Sequence, residues 1–266
     1  MSSMLTVENL SFEYEKQTPI LHDISFSVKK GSVCGLFGPN GCGKTTLFKC
    51  CLKFLTYSKG KILINDQDIK TTSIHDMAKH SAYVPQEHKP SFSYLVRDVV
   101  LMGRTSHFSN GFQIPNLDKQ KTLDALHLVG IDHLAYTPYN QLSGGQRQLV
   151  IIARAVAQET QLMFLDEPTS ALDFSNQIWV WRLLQKIASK GTTIIACTHD
   201  PNHVMWFCDS VVVMNNHSLV TVGPPKKVLT EKILDHIYPG TCRVDRFDTT
   251  NMVYPRNLTQ EKEGSQ

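Results

Sequence analysis

Short apolar runs alternate with longer mixed segments along the chain. Apolar residues fill consecutive positions at 33–37, 162–165 and 192–197, the pattern of parallel strands buried on both faces. Further strands are predicted at 61–64, 82–85 and 210–214. Helical spacing predicts helices over 44–55, 118–129, 146–158 and 175–189. Such alternation of strand and helix implies an α/β protein with a parallel-sheet core. The first strands, 5–12 and 24–28, differ. Apolar and polar residues alternate at Phe12-Glu13-Tyr14 and Ser25-Phe26-Ser27-Val28, which predicts an N-terminal antiparallel β-subdomain with one wet face. The stretch 87–141 lies between two core strands and is too long for a plain βα connection. It is read as an inserted α-helical subdomain.

Three motifs sit on these elements. The strand at 33–37 runs into Gly38-Pro39-Asn40-Gly41-Cys42-Gly43-Lys44-Thr45, a Gly-rich loop between a strand and a helix. Its glycines let successive N–H groups face one anion, and the helix start adds its dipole. Lys44 suits the β- and γ-phosphates of a nucleotide, and the Thr45 hydroxyl suits Mg²⁺. The apolar strand at 162–165 ends in Asp166 and Glu167. Asp166 fits a carboxylate holding Mg²⁺, and Glu167 fits a general base that orients water. Finally, Leu142-Ser143-Gly144-Gly145-Gln146 opens the helix at 146–158 and makes a second backbone nest for an anion. One nucleotide needs one such loop. The second is expected to serve the nucleotide held by another copy of the chain.

With these residues the chain resembles the ATP-binding cassette (ABC) ATPases, over almost its whole length. The resemblance implies a P-loop NTPase core spanning 1–240, a helical subdomain inserted at about 87–158, and a C-terminal hairpin with a loose tail over 241–266. Gly38 to Thr45, with Thr46 following, corresponds to the Walker A loop. Residues 162–166 correspond to the Walker B strand, and Ser143, Gly144, Gly145 and Gln146 to the signature motif. Gln86 is similar to the Q-loop glutamine, which senses Mg²⁺ and the membrane partner. Ser170-Ala171-Leu172-Asp173 is similar to the D-loop, and His199 to the switch histidine on the γ-phosphate. Tyr14 stands where the family places an aromatic ring on adenine, with Phe12 the alternative. The implied cofactors are ATP and Mg²⁺. The implied partners are a second copy, head to tail, integral-membrane permease subunits and, indirectly, an external substrate-binding protein.

Composition narrows the class. Hydrophobic residues make up 41% of 266, and 27 basic residues against 24 acidic give a formal charge of +3. That balance makes no electrostatic case for nucleic acid. Seven cysteines without a C-x-x-C pair fit reduced thiols, and Cys50-Cys51 reads as two small apolar helix residues. No secretory signal is visible at the N-terminus, and no run approaches the roughly 18 apolar residues of a membrane span. If the protein works at a membrane it is expected there as a peripheral subunit, and the resemblance implies the cytoplasmic face.

Local features point to one branch of the family, the importers of iron–siderophore complexes, haem, cobalamin and molybdate. They are the segment 96–104, Leu172-Asp173-Phe174 followed by Gln177, and two short strands at 241–246 and 251–255. Asp200-Pro201-Asn202 after His199 departs from the branch's usual Asp-Leu-Asn and is similar to molybdate-type members. An iron(III)–siderophore complex is the expected cargo, with molybdate, haem or cobalamin as alternatives. A soluble ABC ATPase such as an iron–sulfur assembly factor is the other alternative. Phe92, Tyr94, Leu95, Val96 and Met102 are expected to line a groove for a cytoplasmic helix of the permease.

Overall fold

The structure is a computed structural model that describes residues 2–14, 19–86, 93–108, 114–247 and 250–256. Among these residues ten strands join in one sheet: β1 (Ser3–Glu13), β2 (Pro19–Lys29), β3 (Val33–Phe37), β4 (Lys59–Ile64), β5 (Gln67–Asp68), β6 (Ser81–Val84), β7 (Leu162–Asp166), β8 (Thr193–Thr198), β9 (Ser210–Asn215) and β10 (Ser218–Gly223). Across the sheet they lie in the order β5-β4-β1-β2-β10-β9-β3-β8-β7-β6. Strands β9, β3, β8, β7 and β6 run parallel to their neighbours in that order, and every residue of β3, β7 and β8 is buried. This is the parallel core the unbroken apolar runs predict. At the other end β1, β2, β4 and β5 pair antiparallel, and β2 alternates buried and exposed positions over its last half.

β10 is absent from the sequence-based expectation. Asn216 and His217, between β9 and β10, both have positive φ, 43° and 65°, as a two-residue primed hairpin turn requires. Asn tolerates that conformation, but no glycine marks the turn.

Helix α1 (Lys44–Cys51) lies between the two parts of the sheet. Its Leu47, Phe48, Cys50 and Cys51 pack with Leu5 and Ile62 of the antiparallel strands and with Phe164 and Ile195 of the core. Burial on all sides pushes the Cys50 thiol up to about 12, so Cys50 acts as an apolar group. The helix ends earlier than its apolar pattern suggests. Lys53 takes φ 61°, its N–H bonds the Cys50 carbonyl, and the Phe54 N–H bonds that of Lys49. These paired bonds satisfy the last carbonyls and leave Phe54 60% exposed.

After α2 (Ile74–His80) and β6 come α3 (Val96–Leu101), α4 (Asn116–Leu128) and α5 (Gly144–Ala157), and only then β7. Buried Arg104 donates to Asp118 of α4 at 2.8 Å, to the Ala157 carbonyl at 2.7 Å and to Glu159 at 2.9 Å. A buried cation with three acceptors pins α4 to the end of α5. Helix α6 (Phe174–Ala188) follows β7, and α7 (Pro201–Phe207) follows β8. Helices α8 (Pro225–Val228) and α9 (Glu231–Ile237) lead to a hairpin of β11 (Cys242–Phe247) and β12 (Thr250–Pro255), a separate two-stranded sheet. Val253 of the hairpin packs with Val204 and Met205 of α7, Leu234 of α9 and Phe37. Residues 260–266, read as a loose tail, lie outside the described residues. No helix among the described residues is long and apolar enough to cross a membrane.

Candidate functional site

In an open parallel sheet, groups just beyond the carboxyl ends of neighbouring strands share one edge. Here β3 ends at Phe37 beside Thr198 of β8, Asp166 of β7 pairs with Cys197, and Val84 of β6 pairs with Leu165. Gly38, Gln86, Glu167 and His199 therefore leave the sheet at the same edge.

The loop after β3 curls into α1 through Gly43, whose φ is 103°. A Cβ there would stand 2.7 Å from the Ile20 carbonyl oxygen, so the turn is open to glycine alone. Lys44 is buried, and its Nζ donates to the carbonyls of Gly38 and Pro39 at 2.8 and 2.9 Å. This ammonium is held by neutral oxygens, so its positive charge is available to an anion. Next to it the Thr45 hydroxyl donates to Asp166 Oδ2 at 2.8 Å. Burial raises the Asp166 pKa against the opposing pull of Thr45.

Glu167 has φ 47°, a conformation that is uncommon outside glycine and that gathers at functional sites. Its carboxylate is held at both oxygens. Gln86 Nε2 donates to Oε2 at 3.0 Å, and His199 Nδ1 lies 3.2 Å from Oε1. Three residues from three different strand ends thus meet in one cluster.

Beside them is a cleft of about 450 Å³ lined by Tyr14, Asn40, Gly41, Gly43, Lys44, Thr45, Thr46, Gln86, Asp166 and Glu167, a volume in the range of small-molecule sites; Gly38 and His199 are not in its lining, and His199 reaches it only through Glu167. Ile20 of β2 lines it too; an isolated apolar strand residue gives no signal in the sequence. Tyr14 is 57% exposed, whereas Phe12 is buried beneath it in edge-on contact at 4.9 Å. The tyrosine, and not Phe12, borders the cleft. Cys42 is buried in the core and Pro39 contributes its carbonyl; neither side chain lines the cleft.

Ser143, Gly144, Gly145 and Gln146 are not brought to the cleft. They open α5 with a reciprocal capping box: Ser143 Oγ accepts from the Gln146 N–H at 3.2 Å, and Gln146 Oε1 accepts from the Ser143 N–H at 3.0 Å. A Cβ on Gly145 would approach Leu172 to 2.9 Å, so the turn is seated on the loop before α6. Gln177 of α6 steadies that loop by donating to the Leu172 carbonyl at 3.0 Å.

The sequence profile of the ABC transporter family matches residues 21–170. The chain belongs to this family. The ABC subunit is 36% identical to the molybdate import ATP-binding protein MolC of Haemophilus influenzae, over 90% of this chain and 89% of that one. It is 34% identical to the iron(3+)-hydroxamate import ATP-binding protein FhuC of Bacillus subtilis, over 93% of this chain and 92% of the relative. A solved metal-chelate type ABC transporter in an inward-facing conformation superposes with a TM-score of 0.83 at 33% identity, covering 96% of this chain and 98% of that one. As a member of the family, the ABC subunit is an ATPase whose turnover is coupled to transport.

Proposed function

We propose that this ABC ATPase powers an importer of metal chelates, with two copies closing head to tail around two ATP molecules. The observation that carries the reading is the clamp on Glu167, whose two oxygens face Gln86 and His199 beside the phosphate-type loop. In this arrangement Glu167 serves as the general base toward the attacking water, and His199 and Gln86 fix its orientation. Lys44 and the loop amides of 41–46 bind the β- and γ-phosphates, and Tyr14 stacks on adenine. Mg²⁺ fits the donor set: the Thr45 hydroxyl beside the Asp166 carboxylate, the Gln86 amide oxygen and nucleotide phosphates are the hard oxygens it prefers. Asp166 is a carboxylate whose charge burial disfavours, so a cation there offsets a local cost. When bound, the ion neutralises phosphate charge. The signature turn lies apart from the cleft of its own chain, which supports a two-fold arrangement in which each copy completes the other's site.

Docking to a permease at the cytoplasmic face is supported by a second cleft, of about 330 Å³, between α2, the segment after α3 and the end of α5. Phe54, Ile74 and Met102 line it and are 60%, 73% and 40% exposed, an apolar surface that calls for a partner. Of the residues read from sequence as groove-forming, Met102 lines this cleft. Val96 is fully buried in the core of α3 to α5, Leu95 is half-buried, Tyr94 is 47% exposed away from the lining, and Phe92 lies outside the described residues.

An iron(III)–siderophore complex is the proposed cargo, supported by the likeness to FhuC. Molybdate is the second reading, favoured by Asp200-Pro201-Asn202 and the likeness to MolC. The test uses vesicles holding this subunit with its permease, offered ferric siderophore or molybdate on the matching binding protein. ATPase stimulation by the siderophore-loaded receptor is expected. Stimulation by the molybdate-loaded receptor alone replaces the iron reading, and stimulation by neither removes the importer role.

A further inference from the structure

The C-terminal hairpin is joined to α7, the helix that begins two residues after His199. The joint is made by Asn202. Its Nδ2 donates to the Val253 carbonyl at 3.0 Å, and its Oδ1 accepts from the Val253 N–H at 2.8 Å. One amide side chain thus satisfies both backbone groups of a residue in β12, as a neighbouring strand would. One turn along α7, Trp206 Nε1 donates to the Asn251 carbonyl at 3.2 Å. Beneath these bonds Val253 is buried against Val204 and Met205.

The same asparagine belongs to the cap of α7. Its backbone N–H donates to Asp200 Oδ1 at 2.8 Å, and the Asp200 N–H donates to the Thr198 hydroxyl at 3.1 Å. His199 lies between these two capped residues and presents Nδ1 to Glu167 at 3.2 Å. His199 is itself largely exposed, with a side-chain accessibility of 56%, so packing does not fix its place. The backbone on either side does. The start of α7 is held from below by the end of β8 and from outside by the hairpin.

We propose that the hairpin of β11 and β12 is a positioning element for His199, with Asn202 as the positioning residue that transmits it. The inference rests on the reading of His199 as a partner of Glu167 in turnover. The amide is suited to the role because it must both donate and accept. Aspartate at the same position can accept from the Val253 N–H but cannot donate to the Val253 carbonyl, and alanine can do neither.

The experiment is a double-mutant cycle on the full chain, with turnover measured over a range of Mg·ATP up to saturation. Asn202→Ala is expected to lower kcat about 10-fold with KM for ATP within about twofold, because a small misplacement of a catalytic group costs rate more than affinity. In a His199→Ala background the same substitution is expected to change kcat less than about twofold, since residues acting through one another are not additive. Asn202→Asp, which removes the donor while keeping the side chain's shape, and Trp206→Phe, which removes the donor along with part of the ring system, are expected to show smaller losses with the same non-additivity. They serve in place of Asn202→Ala if that variant does not fold. Wild-type kcat in the Asn202 variants, or equal fold losses in both backgrounds, would overturn the inference. Wild-type kcat in His199→Ala alone would instead overturn the reading of the site on which it rests.

Discussion

Two turns in this molecule use backbone amides at a helix start, and they are finished in opposite ways. The turn at the start of α1 is closed in by its own chain: Lys44 folds over it, Asp166 takes the Thr45 hydroxyl, and Glu167, Gln86 and Tyr14 stand around the same cleft. The turn at the start of α5 is capped by its own Ser143 and Gln146 and seated on Leu172, while a Cβ on Gly144 would meet nothing within 4 Å. One gathers an ammonium, two carboxylates and the groups that hydrogen-bond them. The other is an open turn with no carboxylate in its cap, braced by Arg147, which donates to the Leu142 carbonyl at 3.1 Å. On the proposed reading the first turn carries the chemistry and the second completes the site of another copy, and that contrast can be broken from either side.

The largest effect is expected at the first turn. Glu167→Gln keeps the shape and the neighbours but removes the base, and should lower ATP turnover about 10²–10⁴-fold with nucleotide binding retained. Phosphate release and fluorescent-nucleotide titration measure the two quantities separately. Normal turnover in this variant would remove Glu167 from the mechanism. At the second turn, Ser143→Arg should leave ATP binding to the isolated chain unchanged and lower turnover at least about 10-fold, because steric bulk there meets the partner's nucleotide, not its own. Loss of the cap costs about 1 kcal/mol, which a melting curve accounts for. An equal loss of binding would mean that the turn acts within its own chain.

A smaller effect is expected away from both turns. Charges introduced by Phe54→Asp and Ile74→Asp should reduce transport several-fold in assembled vesicles while leaving the ATPase of the free subunit within about twofold, as expected for a desolvated apolar contact. Full transport in both variants would move the permease contact elsewhere. The smallest change is one of stability. Because burial raises the Asp166 pKa, its ionised form disfavours the folded state, and the stability linked to this group is present at low pH and lost as pH rises through its folded pKa. Asp166→Asn should therefore raise Tm at neutral pH while turnover falls, and the Tm gap should close as pH approaches the ordinary carboxyl value of 3.8. A lower Tm at neutral pH would show that the charge is compensated in the free chain.

What was legible in the sequence depended on how local the cause is. Residues 38–46 and 143–146 could be read because a Gly-rich turn at a helix start fixes its geometry within a few residues. The parallel core could be read because burial on both faces leaves unbroken apolar runs at β3, β7 and β8. Ile20 in the nucleotide-type cleft and Phe54 and Ile74 in the second cleft could not, because each is placed by contacts between segments distant in sequence. Helix α2 escaped notice because seven residues are too few for a helical period to stand out, although Ser73 caps it by accepting from the Asp76 N–H at 3.0 Å. The choice between Tyr14 and Phe12 as cleft residue was likewise open, since exposure alone separates two aromatics two residues apart.

The central claim is that ATP joins two copies, each lending its second turn to the other's first. The direct measurement is light scattering of Glu167→Gln with and without saturating Mg·ATP. A change from about one chain mass of 30.0 kDa to twice that value on adding nucleotide is predicted. A particle that stays at the single-chain mass while nucleotide is shown to be bound would contradict it.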